Sequence, residues 1–184
     1  MKQIILSILI LFMFSSMHAQ SLAQENQLAL SIPSFALLSV ETSTQTPPTL
    51  LSGPVNPVPA GAKATVIITP GSSDNTWINY SSIVPTGSFN TITVNISAGQ
   101  IPPDTEIVLE TLPDVGVGAG ETGLPIPEVI LNESPQYVIS SIGSCYTGAG
   151  ANKGHKIKFK WITGDPVAIA NCSVEVTFTI TAGQ

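Results

Sequence analysis

The chain has 184 residues, 43% of them hydrophobic and only 10% charged, and carries a net charge of −6. None of its six basic residues is an arginine, so the basic footprint and guanidinium forks that read phosphate and guanine are missing, which excludes nucleic-acid binding. Two cysteines and two histidines leave little material for a metal centre or an imidazole-based catalyst.

The chain begins as an export address. Lys2 precedes an apolar run over residues 4–14, and small residues follow, with cleavage expected after Ala19 or Ala23. The run is too short to span a bilayer, so no integral membrane span is expected in the mature chain. Neither cleavage site precedes a cysteine, which removes a lipid anchor. Residues 1–23 therefore read as a signal peptide and 24–184 as one domain, located at the cell surface, in the periplasm or outside the cell.

In the mature chain Leu28, Leu30 and Ile32 alternate with smaller residues, Pro33 interrupts the run, and residues 35–40 resume it as an edge strand. Residues 42–60 hold five prolines and read as a crossing loop, with a short strand at 49–52. The β-branched run 64–69 and the segment 76–83 (TWINYSSI) flank a turn at 70–75 and read as adjacent strands. Residues 91–97 alternate with Ile92, Val94 and Ile96 inward. Residues 106–112 follow, with Ile107 and Leu109 opposed by Val108.

Residues 114–127 contain four glycines but no Lys-Ser/Thr pair and no following helix, so they read as loop punctuation rather than a phosphate cradle. Strands are expected at 128–131 and 137–142. In 156–161 the lysines Lys156, Lys158 and Lys160 alternate with Ile157, Phe159 and Trp161, giving one cationic and one apolar face. The last strand, 173–181, sends Val174, Val176, Phe178 and Ile180 to one side. Nowhere is there helical apolar spacing. The expected fold is all-β: a two-sheet antiparallel sandwich, immunoglobulin-like or pilin-like, of eight or nine strands.

Candidate chemistry is sparse. Cys145 and Cys172 form an even pair, which in an exported protein reads as a disulfide. His155, in the turn that opens a strand, lacks a nucleophile-elbow partner and reads as a local turn residue or one facing solvent. The carboxylates Asp104, Glu106 and Glu110 read as the wet side of a strand, and no metal or cofactor is expected. Trp77, Tyr80 and Trp161 are the candidates for a sugar-stacking platform, against core packing, the ordinary role of a strand tryptophan. Two roles fit the lysine row: discouraging edge-to-edge aggregation, or meeting an acidic neighbour or anionic glycan.

The segment 142–155 (IGSCYTGAGANKGH), with TWINYSS at 76–82 and VEVTFTIT at 174–181, resembles small secreted bacterial β-sandwich proteins of uncharacterised activity. That likeness implies a sandwich fold and an envelope location. Composition and the alternating C-terminal strand are similar, more weakly, to pilin subunits of the chaperone–usher and spore-coat-U kind. There, a neighbour's N-terminal strand completes each sandwich, a role Leu28, Leu30 and Ile32 could fill; the alternative is that they complete their own sheet. Both cysteines lie in the last forty residues, unlike the usual pattern in those subunits. The expectation is a structural subunit, fimbrial-like, that contacts copies of itself or other envelope proteins. The alternative is a monomeric, non-catalytic module for a glycan or surface.

Overall fold

A computed structural model describes residues 33–42, 58–59, 61, 63–68, 76–164 and 172–181. The expected signal peptide, the Leu28, Leu30 and Ile32 segment, the short strand at 49–52 and the turn at 70–75 lie outside the described residues.

The described residues form thirteen strands and no helix: β1 (Phe35–Thr42), β2 (Val58–Pro59), β3 (Lys63–Ile68), β4 (Thr76–Ile83), β5 (Asn90–Gly99), β6 (Thr105–Asp114), β7 (Ala119–Gly120), β8 (Leu124–Pro125), β9 (Glu128–Ile130), β10 (Gln136–Ile142), β11 (Cys145–Tyr146), β12 (His155–Thr163) and β13 (Val174–Thr181). One sheet runs β2-β1-β4-β12-β6-β9, with β11 pairing both β4 and β7; the other runs β3-β13-β5-β10-β8. Every pairing is antiparallel. The two sheets pack as a β-sandwich, as the alternation predicts.

Period-two patterning makes the core. Leu38 of β1, Ile78 of β4, Ile157 of β12 and Ile107 and Leu109 of β6 face inward from one sheet. Ile92 and Val94 of β5 and Val174, Val176, Phe178 and Ile180 of β13 meet them from the other, and all are buried. Complete burial of a side chain such as Phe178 stabilises the fold by about 2–3 kcal/mol relative to exposure. Strands β4 and β13 occupy almost the predicted bounds, and β5, β6 and β12 each extend one residue before and two residues after theirs.

Four expectations are corrected. First, β3 and β4 are not neighbours: β3 is an end strand of one sheet, paired with β13, and β4 is central in the other, between β1 and β12. Second, β12 lies inside its sheet at one end: β4 and β6 flank it from His155 to Ile157, so Lys156 protects no sheet edge, while from Lys158 onward β6 is its one strand partner among the described residues.

Third, the cysteines are not bonded to each other. Cys145 pairs with Ser82, whose hydroxyl accepts from Asn90 at the start of β5. The Cys172 thiol instead lies 3.1 Å from the carbonyl oxygen of Gln100, just past the end of β5. Nearly a full ten-residue strand separates them. At ~3.3 Å per residue that is roughly 30 Å, against the ~7 Å Cα separation beyond which no disulfide closes.

Fourth, His155 is neither a turn residue nor solvent-facing. It is the first residue of β12 and wholly buried.

Candidate functional site

The two segments singled out by sequence, TWINYSS and IGSCYTGAGANKGH, fold against each other. Along one side β4 pairs with β1 throughout. Along the other it pairs first with β12, from Thr76 to Ile78, and then with β11, at Ser81 and Ser82. Residues 147–154 fill the gap between these partners. Thr147 clasps Tyr80 by its backbone: the Tyr80 N–H donates to Thr147 Oγ1 and the Thr147 N–H to the Tyr80 carbonyl, each at 2.9 Å. Asn79 Nδ2 donates to the Gly150 carbonyl, also at 2.9 Å. Gly154 closes the gap because it has no Cβ, which would lie 2.1 Å from the Ile78 carbonyl oxygen at a φ of +69°.

Beneath this clasp the Tyr80 and His155 rings lie nearly parallel, 10° apart with centroids at 5.8 Å. The His155 Nε2 is 2.9 Å from the Tyr80 hydroxyl, and its Nδ1 is 2.9 Å from the Leu112 carbonyl oxygen. The same hydroxyl contacts the Thr122 carbonyl oxygen. Burial, reinforced by Cys145 and Asp114, pushes the Tyr80 phenol up from its ordinary value, so it keeps its proton. Burial also raises the Cys145 thiol to about 11, with Asp114 and Glu121 adding to the effect.

Thr122 belongs to a glycine-rich strap that crosses between the sheets. At its first end β7 pairs with β11; at the other, β8 pairs with β10. Its glycines permit backbone-on-backbone contact: a Cβ on Gly118 would sit 1.7 Å from the Tyr146 carbonyl oxygen, and one on Gly120 2.2 Å from that of Ser144. An open cleft of about 520 Å³ is lined by this strap, including Asp114, Thr122 and Leu124. The glycines are thus a packing requirement, more than punctuation between strands.

The outer face of the first sheet carries the lysine row, and each lysine has a partner. Lys156 lies over the Trp77 ring, 5.9 Å from its centroid. Lys158 is 4.0 Å and Lys160 3.2 Å from Glu110, and Lys160 is 2.8 Å from Glu128. The register explains this ladder, since Lys158 stands opposite Glu110 of β6, which stands opposite Glu128 of β9. Hydrogen bonding to Glu128, then Glu110, holds the Lys160 ammonium above its ordinary value. The face is therefore a charge-paired surface, not a bare cationic one.

The three aromatics do not form a platform. Tyr80 points into the core. Trp161 also packs against the core, but six residues along β12 from His155. Trp77 takes the opposite face of β4, where it is 7% exposed between its register neighbours Glu41 and Lys156. Its inward neighbours Ile78 and Tyr80 already carried that signal in the sequence. The Tyr80–His155 pair itself was not legible, because 75 residues separate its members.

No family model, curated protein or solved structure matches the chain.

Proposed function

We propose that the chain is an exported structural subunit, fimbrial-like, that assembles with copies of itself through strand addition at the β3 edge. One observation carries this reading. Among the described residues β3 is paired on one side only, by β13, and its six residues make it the longest strand at any sheet end; β2, β8 and β9 span two or three. An edge of that length presents a row of backbone donors and acceptors to an extended segment of another chain. The alternation of Leu28, Leu30 and Ile32 supplies a segment of matching period. The absence of arginine and the pairing of Lys158 and Lys160 with carboxylates suit a protein that works through backbone contacts rather than a charged pocket.

Deleting residues 24–32 tests the reading. The expected product is a soluble, folded protein by far-ultraviolet circular dichroism that no longer polymerises and binds a synthetic peptide of residues 24–34. Global unfolding of the deletion variant would assign the segment to its own sheet and overturn the proposal, as would undiminished assembly.

A further inference from the structure

Part of the first sheet's outer face is apolar. Register sets Pro59 of β2, Leu37 of β1, Ser81 of β4, Tyr146 of β11 and Ala119 of β7 side by side, one row across five strands. At ~4.8 Å between strands the row is roughly 19 Å long. The chain neighbours Ala36, Leu38, Tyr80 and Ser82 are buried and Cys145 packs against the core, so alternation turns the row outward. Phe35 and Ile83, paired with each other, flank it on the same face. Tyr146 is 53% and Phe35 41% exposed; Pro59 and Ala119 are exposed, and Leu37, Ser81 and Ile83 half-buried.

None of these residues carries a charge, and Glu121 stands only at the rim, beside Gly143. The other broad faces differ. Further along the same sheet the lysine–glutamate ladder covers β12, β6 and β9, and the second sheet turns Lys63, Thr179 and Thr93 outward in one row. A contiguous apolar face is a place where another surface docks. Charge selects the occupant. Two copies, each with a net charge of −6, repel one another, and they meet most favourably where no charged group loses its water. Ser81 and Tyr146 hold the only side-chain hydroxyls of the patch. That is sparse for a sugar and ordinary for the centre of a protein–protein contact, where tyrosine is enriched and charge depleted.

We propose that this face pairs with the same face of a second copy about a two-fold axis through Ser81. Ser81 is the middle residue of the row, so the axis lays each Tyr146 ring on the other copy's Leu37 and sets Ala119 against Pro59. The pairing rests on the reading of the chain as a self-assembling subunit, but it uses a surface separate from the β3 edge, which belongs to the other sheet. The edge links copies through backbone, and this face links them through side chains.

Sedimentation velocity of the full chain, with excess synthetic peptide of residues 24–34 to occupy the β3 edge, separates the two contacts. The expected species is a dimer that persists in the peptide and that high salt leaves unchanged or tightens, because salt screens the repulsion between copies. Tyr146→Ala should weaken it by roughly thirtyfold, the loss typical of an interface anchor. Phe35→Ser, at a second exposed position, should also weaken it and serves if Tyr146→Ala fails to fold. With Tyr146 replaced by p-benzoylphenylalanine in a mixture of 14N and 15N chains, photo-crosslinks should join different chains at Leu37. If the peptide leaves polymers intact, strand addition fails, and the inter-chain cross-link still decides the lateral contact. A monomer in the peptide, a dimer loosened by salt, or cross-links onto Lys158 or Lys160 would each overturn the pairing. A monomer that instead sediments with an insoluble neutral polysaccharide would overturn it too and give the face to a glycan.

Discussion

Single atoms decide the outcome at several positions. The Cys145 thiol, raised to about 11 by burial, carries almost no thiolate near neutral pH, and the thiolate is the reactive form. Cys172 is shifted upward by burial too, but lies in a more open setting. Alkylation of the native, unreduced protein at pH 8 is expected to modify Cys172 first and Cys145 many times more slowly; mass spectrometry over time checks the order, and denaturation should release two free thiols. The linkage has a definite sign. The folded state holds the Cys145 proton more tightly, so this contribution to stability is intact below the ordinary thiol value and is lost as pH rises towards 11. Gly118→Ala is a second test at this scale. Its methyl would overlap the Tyr146 carbonyl, so backbone must shift, and a loss of more than about 2 kcal/mol is expected by urea unfolding. Gly116→Ala meets no atom within 4 Å but has a φ of +76°, so it should cost only the smaller conformational penalty of about 1 kcal/mol.

For the strands as units, what the sequence could and could not reveal follows from the range of the interactions. The faces of β5, β12 and β13 were legible because the two-residue period is local to each strand. The role of the lysine row was not, since it depends on β12 lying between β4 and β6 and on a register that aligns Lys158 with Glu110. For the same reason β3 and β4, close in sequence, fell into different sheets, and two cysteines that invited pairing stand at opposite ends of β5. Salt bridges on an exposed face add little, because water screens them and ordered side chains lose entropy. Lys160→Gln should therefore lower the melting temperature by no more than about 3 °C, and high salt should shrink the difference further. Trp77→Ala should be far more damaging than an exposed aromatic would be. It removes a nearly buried ring and uncovers the Lys156 stem, at an expected cost of about 3 kcal/mol.

Across the whole molecule, the order of strands along the chain places the burden of completion on its end. β13 is the last strand, yet it lies between β3 and β5, and its Val174, Val176, Phe178 and Ile180 supply four buried side chains to the core. Without it β3 loses its only strand partner among the described residues and β5 keeps only β10. Truncation before Val174 should therefore abolish cooperative folding rather than trim a margin of stability: no sigmoidal urea transition, and loss of the near-ultraviolet signal from the buried aromatics. The milder variant Phe178→Ala should retain the transition and lose about 3–5 kcal/mol. A truncated chain that still unfolds cooperatively would mean that the first sheet folds alone. That outcome conflicts with the way Ile157, Ile107 and Leu109 rely on the second sheet for cover. Because nearly all strand partners are distant in sequence, refolding of the intact chain is expected on the millisecond-to-second scale of non-local β topologies, measurable by stopped-flow tryptophan fluorescence.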